Sequence, residues 1–391
     1  MKTIEKEFVV IAEGKSSETC LQEFNRIDIN LTQLRKNVDI LRNTLNPGVK
    51  FMAVVKGDAY GHGLVPIAQE LEKCKCDAIG VVRLTEAIAL RKGKIKIPVV
   101  ILAPLMPSQC QWVVEHNISV MVDNEKIVSA LDKEAASKNK VVDVHIKVNT
   151  GLNRYGIETD EVVRFIHIIN EKYPHINIKG IYTHFKDPEY NEQFTYDQMM
   201  KFNKVLKKLE EVNLRPPIAH AAGSAGILMY SESHYDMVRC GLILYGLEHK
   251  PDEKMLPEGV SPIMSVKSKI IKLDKVKANA SGGYGDNFIA KRDSVVAVVG
   301  IGYGDGISRG WKEVLIAGKR VPVVNYFMDG ILVDVTDIKE KVKEFDEVVI
   351  IGKQGDESIS WEDACQSMNS YMDEQFQRIT ERVPKHYFIY K

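Results

Sequence analysis

The chain has 391 residues, of which 45% are hydrophobic and 27% charged, a composition typical of a globular protein long enough for two domains. Its 53 basic residues balance 53 acidic ones, so bulk charge does not favour a nucleic-acid or membrane-surface partner. The sequence shows no signal-peptide pattern and no membrane-spanning apolar run, so we expect a cytoplasmic protein. The only close cysteines are Cys74 and Cys76, a spacing that predicts reduced thiols and no metal site.

The first part of the chain alternates short apolar runs with amphipathic stretches. The opening EFVVIAE is expected to add a strand to a later β domain, and FNRIDINLTQLRKNVDILRNTL predicts a strand followed by a helix. Eight strands alternating with helix-like stretches predict an α/β fold, a (β/α)8 TIM-type barrel over residues 24–257. A doubly wound open sheet is the alternative, since counting strands does not prove closure. The strand-like runs are 50–56, 78–82, 99–103, 118–122, 142–148, 178–184, 217–221 and 237–246.

After the last of these runs the alternation of strand-like and helix-like segments ends, and strand-like segments predominate. Segments such as SVKSKIIKLDKV, SVVAVVGIGYG, VLIAGKRVPVV and DEVVIIG are rich in β-formers and are separated by Gly, Asp and Asn. They predict a mostly β C-terminal domain over residues 258–391, with residues 1–23 packing against it.

Polar residues follow the predicted barrel strands, at the ends where a barrel carries its chemistry. Lys56 ends the apolar run MAVV, and a desolvated lysine there would have the lowered pKa that Schiff-base formation requires. A lysine that reaches back to solvent is the alternative. Gly223 and Ser224 precede the helix-like AGILMY, where N–H groups and a hydroxyl favour a phosphate. The other residues at these ends are Lys147, Arg154, Thr183, His184, His220 and Arg239.

The segment VVKGDAYGHG resembles the cofactor-lysine motif of alanine racemases, VVKADAYGHG. Further resemblances occur in the same chain order, over about residues 24 to 385, in VNTGLNRYGI, YTHF, AHAAGSAGILMY, MVRCGLILYG, SGGYG, GIGYGDG and FMDGILVDVT. On these motifs the chain is identified as a member of the alanine racemase family of fold-type III pyridoxal-phosphate enzymes. The resemblance implies an isomerase that interconverts L- and D-alanine. D-alanine is a D-amino acid used in cell-wall precursors.

The resemblance also implies roles for individual residues. Lys56 would bind pyridoxal 5'-phosphate and act as base on one face of the substrate Cα, with Tyr284 of a second subunit as base on the other face. Arg239 would face the pyridine nitrogen, and Lys147 matches a lysine that is N-carboxylated in many members. Because the family builds each site from two chains, a homodimer is implied. Further cofactor contacts would be Tyr60, His184, Ser224, Gly241, Leu242 and Tyr303, and substrate contacts Arg154 and the N–H of Met328.

Three positions depart from the family pattern and bear on specificity. The family's GRVCMDQ is VNYFMDG here, so Phe327 replaces a cysteine and Gly330 a glutamine. A tyrosine near the family's C-terminus aligns with Asp373, or with Tyr371 if a two-residue gap is allowed. Serine racemases of this family carry a polar residue at that position. The alternative function is therefore a racemase of the same family that acts on serine or on a broader or basic range of amino acids.

Two other classes share parts of these features. Pyridoxal-phosphate decarboxylases of basic amino acids combine a barrel with a β domain but use a cysteine-based acid, and the tyrosine of SGGYG argues against them. Non-catalytic pyridoxal-phosphate binding proteins are usually a lone barrel, and the β-rich region after residue 258 argues against them.

Overall fold

The computed structural model describes residues 24–247, 255–368, 374 and 377–390, and the backbone of Phe8–Ile11. The chain divides into two compact units. One, the barrel unit, comprises Arg35–Ala59 and Gly63–Val260, and the other, the β unit, comprises the described parts of Met1–Leu34, Tyr60–His62 and Ser261–Lys391. Tyr371 and Asp373, the two alternatives for the C-terminal specificity position, lie outside the described residues.

Among the described residues of the barrel unit, eight parallel strands neighbour one another in chain order, and a ninth, Ile157–Glu158, pairs only with the fifth. The first and eighth strands pair in parallel, with Arg239 opposite Met52. Backbone hydrogen bonds from Asp236 N to Ala219 O and from Arg239 N to Ala222 O, each 3.0 Å, join the eighth strand to the seventh. The circle therefore closes, which confirms the (β/α)8 barrel over the open sheet, whose strand order would reverse. The strands are Lys50–Val54, Ala78–Val81, Val99–Ile101, Ser119–Val122, Val142–Asn149, Ile176–Tyr182, Ile218–His220 and Met237–Cys240.

Amphipathic helices follow the first seven of these strands, because apolar residues spaced three and four apart face the barrel. Two of them begin at asparagine caps: the side chain of Asn124 accepts a hydrogen bond from Ile127 N, and that of Asn191 accepts one from Phe194 N. The helices of this unit are Leu64–Lys73, Leu84–Lys92, Cys110–Glu115, Glu125–Ser137, Val162–Lys172, Glu192–Glu211 and Ser224–Met229. A further helix, Leu31–Asn43, contains the point where the chain passes from one unit to the other. Among the described residues, none of the helices has the length and apolar character of a membrane span.

The barrel interior is layered. An apolar cluster of residues from near the starts of five strands fills one level, namely Met52, Ala78, Val100, Ile218 and Met237. Buried polar side chains lie closer to the carboxyl ends, and they belong to His145, Lys147, His220 and Arg239. Because barrel enzymes work at the carboxyl ends of their strands, this polar level lies directly beneath the expected position of a site.

The β unit is a largely antiparallel sheet of ten strands within the described residues. Phe8–Ile11, from the EFVVIAE segment, pairs with Lys385–Tyr390. Arg26–Asn30 pairs with Met264–Val276 and with Lys385–Tyr390, so the strand that precedes the barrel in sequence belongs to this sheet. The remaining strands are Ser294–Val299, Glu313–Ile316, Lys319–Tyr326, Ile331–Asp334, Glu347–Gln354 and Glu357–Ile359, and one helix, Trp361–Met368, follows them.

Candidate active site

The carboxyl ends of the barrel strands carry the polar residues that the sequence predicts there. Lys56 lies two residues after the first strand, His220 ends the seventh, and Arg239 is the penultimate residue of the eighth. Lys147 lies in the fifth strand, and His184 lies two residues after the sixth. The fold thus brings together residues that are far apart in sequence.

Lys56 is exposed at this mouth of the barrel. Of the two possibilities that the sequence leaves open, a desolvated lysine and a lysine that reaches solvent, the structure shows the second. The positive charge of Lys56 nonetheless contributes to lowering the pKa of His184, after burial and the charges of three other cations. Lys56 and His184 thus belong to one electrostatic cluster.

The backbone immediately after Lys56 is left-handed. Gly57, Asp58 and Ala59 have φ values of 63°, 55° and 53°, and each of the two non-glycine residues costs roughly 1–2 kcal/mol in this conformation. The Asp58 side chain offsets part of this strain by accepting a hydrogen bond from Leu64 N at 2.7 Å.

Glu86, which sequence reasoning missed, holds the start of this turn. Its carboxylate accepts hydrogen bonds from Gly57 N at 2.6 Å, from Val82 N at 3.1 Å and from Arg83 N at 3.0 Å. It therefore connects the carboxyl end of the first strand to that of the second. The only sequence signal is a glutamate three residues into a helix, which predicts a helix cap and gives no indication of the contact with Gly57.

Arg239 is buried and fixed on several sides. Its Nη2 donates to the carbonyls of Thr183 and Ala221 at 2.8 and 2.7 Å and to His184 Nδ1 at 3.1 Å, while its Nη1 donates to His220 Nδ1 at 2.9 Å. Burial lowers the pKa of Arg239 to about 10, which still leaves the guanidinium protonated at neutral pH. Its position and charge are therefore fixed.

A pair of buried histidines extends the contact with Arg239 into the barrel. Because an arginine only donates, His220 accepts the hydrogen bond from Arg239 at its Nδ1. A neutral His220 therefore carries its proton on Nε2, which donates to His145 Nδ1 at 3.0 Å. Burial, followed by the charge of Arg239, lowers the pKa of both histidines, that of His145 to about 4. Tyr182 stacks on His220 with 4.7 Å between ring centroids. These residues form a neutral, rigid support beneath Arg239.

Lys147 is fully enclosed, unlike Lys56. Its Nζ lies 4.6 Å from the centre of the Tyr182 ring. Burial, and then the charges of Arg239 and Arg154, lower the pKa of Lys147 well below its ordinary value. Arg154 itself is exposed and stacks on Tyr155. This lysine is thus a buried amine whose protonation is opposed by two neighbouring cations.

Two short helical segments begin beside these groups. Ser224 opens the helix Ser224–Met229 after Gly223, and Leu242 opens a 3-10 turn, Leu242–Tyr245, after Gly241. The first N–H groups of a helix have no partner within it, so both segments can present donors to an anion. Space is limited here, since a Cβ on Gly223 would lie 3.3 Å from His184 Cε1.

The β unit carries the remaining predicted residues on adjoining loops. Tyr284 is 75% exposed, Met328 is 55% exposed and Tyr303 is exposed as well. The loops of Tyr303 and Met328 are joined by hydrogen bonds from Tyr303 N to Phe327 O and from Gly304 N to Met328 O, at 3.1 and 2.8 Å. The described structure therefore places these three residues on the surface of one unit. Tyr60 lies in the same unit and is buried.

Arg382 ties these two loops together with ion pairs. It lies 3.3 Å from the buried Asp305 and 2.8 Å from Asp329. The other carboxylate oxygen of Asp305 accepts a hydrogen bond from Gly302 N at 2.9 Å. Position 330, where the family has glutamine, has a packing explanation, because a Cβ on Gly330 would lie 2.9 Å from Val299 O.

A closed barrel with a cluster of lysine, arginine and histidine side chains at its carboxyl mouth, followed by an antiparallel β unit, defines a barrel enzyme with a C-terminal β domain. The family models for the alanine racemase N-terminal domain and the alanine racemase C-terminal domain match residues 29–249 and 263–387. The chain belongs to the alanine racemase family, as its motifs predict.

Individual relatives agree over nearly the full length. Alanine racemase 2 of Clostridium acetobutylicum is 55% identical over 383 residues, which cover 98% of this chain and 97% of the relative. The solved alanine racemase of Clostridium difficile 630 is 30% identical with a TM-score of 0.87, and the match covers 94% of this chain and 97% of that one. The Bacillus anthracis alanine racemase with bound L-Ala-P is 28% identical with a TM-score of 0.87, covering 94% and 96%.

Proposed function

We propose that this enzyme interconverts L- and D-alanine, with pyridoxal 5'-phosphate held by Lys56. The observation that carries the proposal is the placement of Lys56 and Arg239 at the carboxyl ends of two directly paired strands. Lys56 offers an amine on an exposed side chain, and Arg239 offers a fixed, protonated guanidinium near the end of the neighbouring strand. The relatives named above are all alanine racemases, so alanine is favoured over serine or a basic amino acid.

The residues at the barrel mouth fit this cofactor. A lysine can hold its aldehyde carbon, the segments that begin at Ser224 and Leu242 can donate to its phosphate, and Arg239 can face its ring nitrogen. His184 adds a half-buried imidazole. Tyr60 and Tyr303, which belong to the β unit, stay predictions for cofactor contacts. When bound, pyridoxal phosphate supplies a conjugated system that stabilises the charge left at a substrate Cα after its proton departs.

Arg239 would limit how far this stabilisation goes. It keeps its proton at neutral pH, and the two histidines that contact it, His184 and His220, are neutral because their pKa values are lowered. No group in this chain of contacts therefore offers a proton for Arg239 to pass to a ring nitrogen. A donor that does not release its proton favours simple exchange at the Cα over side reactions.

Proton exchange with inversion needs a base on each face of the Cα. We assign Lys56 to one face and Tyr284 to the other, with Arg154 and the N–H of Met328 near the substrate carboxylate. The exposure of Tyr284 and Met328 supports a homodimer in which each site takes these two residues from a second copy. Phe327 belongs to the same loop, and Asp373 and Tyr371 stay predictions for the side-chain pocket.

Lys147 is proposed to carry a carboxylate. Its lowered pKa favours the neutral amine, which can attack CO2, form an N–C bond and lose one proton to give a carbamate. The product would be an anion close to the cations Arg154 and Arg239, whereas an ammonium there is opposed by both. A carbamate would fix the orientation of Arg154.

Exchange in deuterated water tests the proposal. Purified holoenzyme incubated with single amino acids should incorporate deuterium at Cα and invert alanine in preference to serine, lysine or arginine. Lys56→Ala should abolish this exchange, whereas Lys50→Ala, which removes an exposed lysine at the other end of the same strand, should not. Inversion of alanine by Lys56→Ala at the rate of the unmodified enzyme would overturn the assignment.

A further inference from the structure

The loop that carries Tyr284 has a dedicated support within the β unit. Residues 281–289 form a narrow loop that is closed by a bridge between Ser281 and Ile289 and by a hydrogen bond from Gly282 N to Phe288 O at 3.0 Å. Tyr284 lies near its tip and is mostly exposed. An exposed loop of this kind moves freely unless its backbone is held from below.

Asn325 holds that backbone. Its side chain is 1% exposed, and its Nδ2 donates to Gly282 O at 2.8 Å and to Tyr284 O at 3.0 Å. The register of the strand Lys319–Tyr326 shifts between Val323 and Asn325, and such bulges redirect side chains near functional sites. Both amide hydrogens of Asn325 are thereby committed to the two residues that flank Gly283.

Phe327 contacts the ring of Tyr284. The two rings meet edge to face, with 5.6 Å between centroids and 71° between planes. Position 283 requires glycine. Its φ is +83°, and a Cβ there would lie 2.7 Å from Asn325 Nδ2 and 2.8 Å from Phe327 Cζ. The loop is therefore seated on Asn325 and Phe327 without room for a side chain between them.

We infer that Asn325 and Phe327 are positioning residues for Tyr284. Asn325 fixes the backbone on both sides of Gly283, and Phe327 fixes the direction of the phenol ring. The inference rests on the proposed role of Tyr284 as a base. It also gives a reason for Phe327 in a motif that has cysteine elsewhere in the family, because a cysteine side chain is too short to form this ring contact.

The expected effects follow from the contacts removed. Loss of an edge-to-face pair corresponds to a fall of about two- to tenfold in kcat/KM if the contact holds the base in place. Asn325→Ala removes two hydrogen bonds to the loop and is expected to lower kcat/KM by about tenfold or more. KM should change less than kcat, since the contacts that are removed hold the proposed base rather than the bound substrate.

Isotope effects distinguish positioning from a general structural role. The equilibrium constant for racemisation of alanine is one, so kcat/KM must fall equally in both directions in any variant. The deuterium isotope effect on Cα is not so constrained, and it should rise only for the enantiomer from which Tyr284 removes the proton. Tyr284→Phe identifies that enantiomer. Phe327→Leu and Phe327→Cys should show the rise, while Phe327→Tyr, which keeps the ring, should behave as the unmodified enzyme does.

A second measurement is independent of turnover. In holoenzyme labelled with 13C at the tyrosine ring, the Tyr284 signal, assigned with Tyr284→Phe, should lose its ring-current shift in Phe327→Leu and keep it in Phe327→Tyr. Phe345→Leu, which removes an exposed aromatic elsewhere in the β unit, should leave the shift and the isotope effects unchanged.

The outcomes separate this inference from the proposed function. If Tyr284→Phe racemises alanine as fast as the unmodified enzyme does, the assignment of Tyr284 as a base fails. If Tyr284→Phe is impaired but Phe327→Leu and Asn325→Ala keep the unmodified isotope effects, only the positioning role is overturned. Circular dichroism checks folding, and should Asn325→Ala not fold, the isotope effects and ring shift of the Phe327 series decide.

Discussion

Acidification should destabilise this protein through the buried histidine pair beneath Arg239. His145 has a folded pKa of about 4, against about 6.5 for an exposed histidine. As the pH falls below 6.5 the unfolded chain takes up this proton first, so the stabilising contribution is complete above that pH and is lost towards pH 4. At one pH unit per 1.36 kcal/mol, His145 alone accounts for about 3 kcal/mol by pH 4.

The assay compares the free energy of unfolding in urea for the unmodified protein and for His145→Gln between pH 8 and pH 4. The difference at pH 8 gives the packing cost of the substitution, and the variant should then lose about 3 kcal/mol less on acidification. A histidine signal labelled at 13Cε1, assigned by its absence in His145→Gln, should stay constant down to about pH 5. Parallel pH dependence of the two proteins, or a midpoint near 6.5 for that signal, would show that His145 does not stay neutral in the folded protein.

Three further predictions concern single residues. Glu86→Ala should lower the free energy of unfolding by about 2–3 kcal/mol and reduce kcat, because three N–H groups, that of Gly57 among them, lose a charged acceptor. Glu86→Gln should retain more of the stability and of kcat, as measured by urea unfolding and alanine kinetics. Gly330→Gln should destabilise the β unit by about 1–3 kcal/mol, seen as a lower Tm, because its Cβ would press on Val299 O. Protein prepared under 13CO2 should show a carbamate signal that Lys147→Ala lacks, and an unchanged spectrum would contradict the proposed modification.

The barrel could be predicted because its signals are local. Each of the eight predicted runs overlaps a strand of the structure, since the strands of a buried parallel sheet are mostly apolar. The eighth run extends furthest beyond its strand, because the chain after Cys240 turns at Gly241 into a 3-10 segment although its residues stay apolar. Sheet partners were less accessible: the pairing of Arg26–Asn30 with Met264–Val276 joins segments about 240 residues apart.

The candidate site could be predicted from motifs, but its internal contacts could not. The sequence predicts only that His145 lies in an apolar strand, and the curvature of the sheet across the sixth strand brings it to His220 on the seventh. Asn325 likewise looks like a polar residue on an outer strand, and it is a bulge in the ladder that places its amide under the Tyr284 loop. The apolar run before Lys56 leaves open whether the lysine is desolvated or reaches solvent, and in the structure, where a left-handed turn begins at Gly57, the lysine is exposed.

Lys56 is proposed to hold the cofactor at the mouth of the barrel. This role is tested most directly by borohydride reduction of the yellow holoenzyme, followed by proteolysis and mass spectrometry of the peptides. We predict one pyridoxyl-phosphate adduct per chain, on the peptide that contains Lys56, and none on Lys50 or on the buried Lys147. An adduct on Lys147 or on any other lysine, with Lys56 unmodified, would contradict the account.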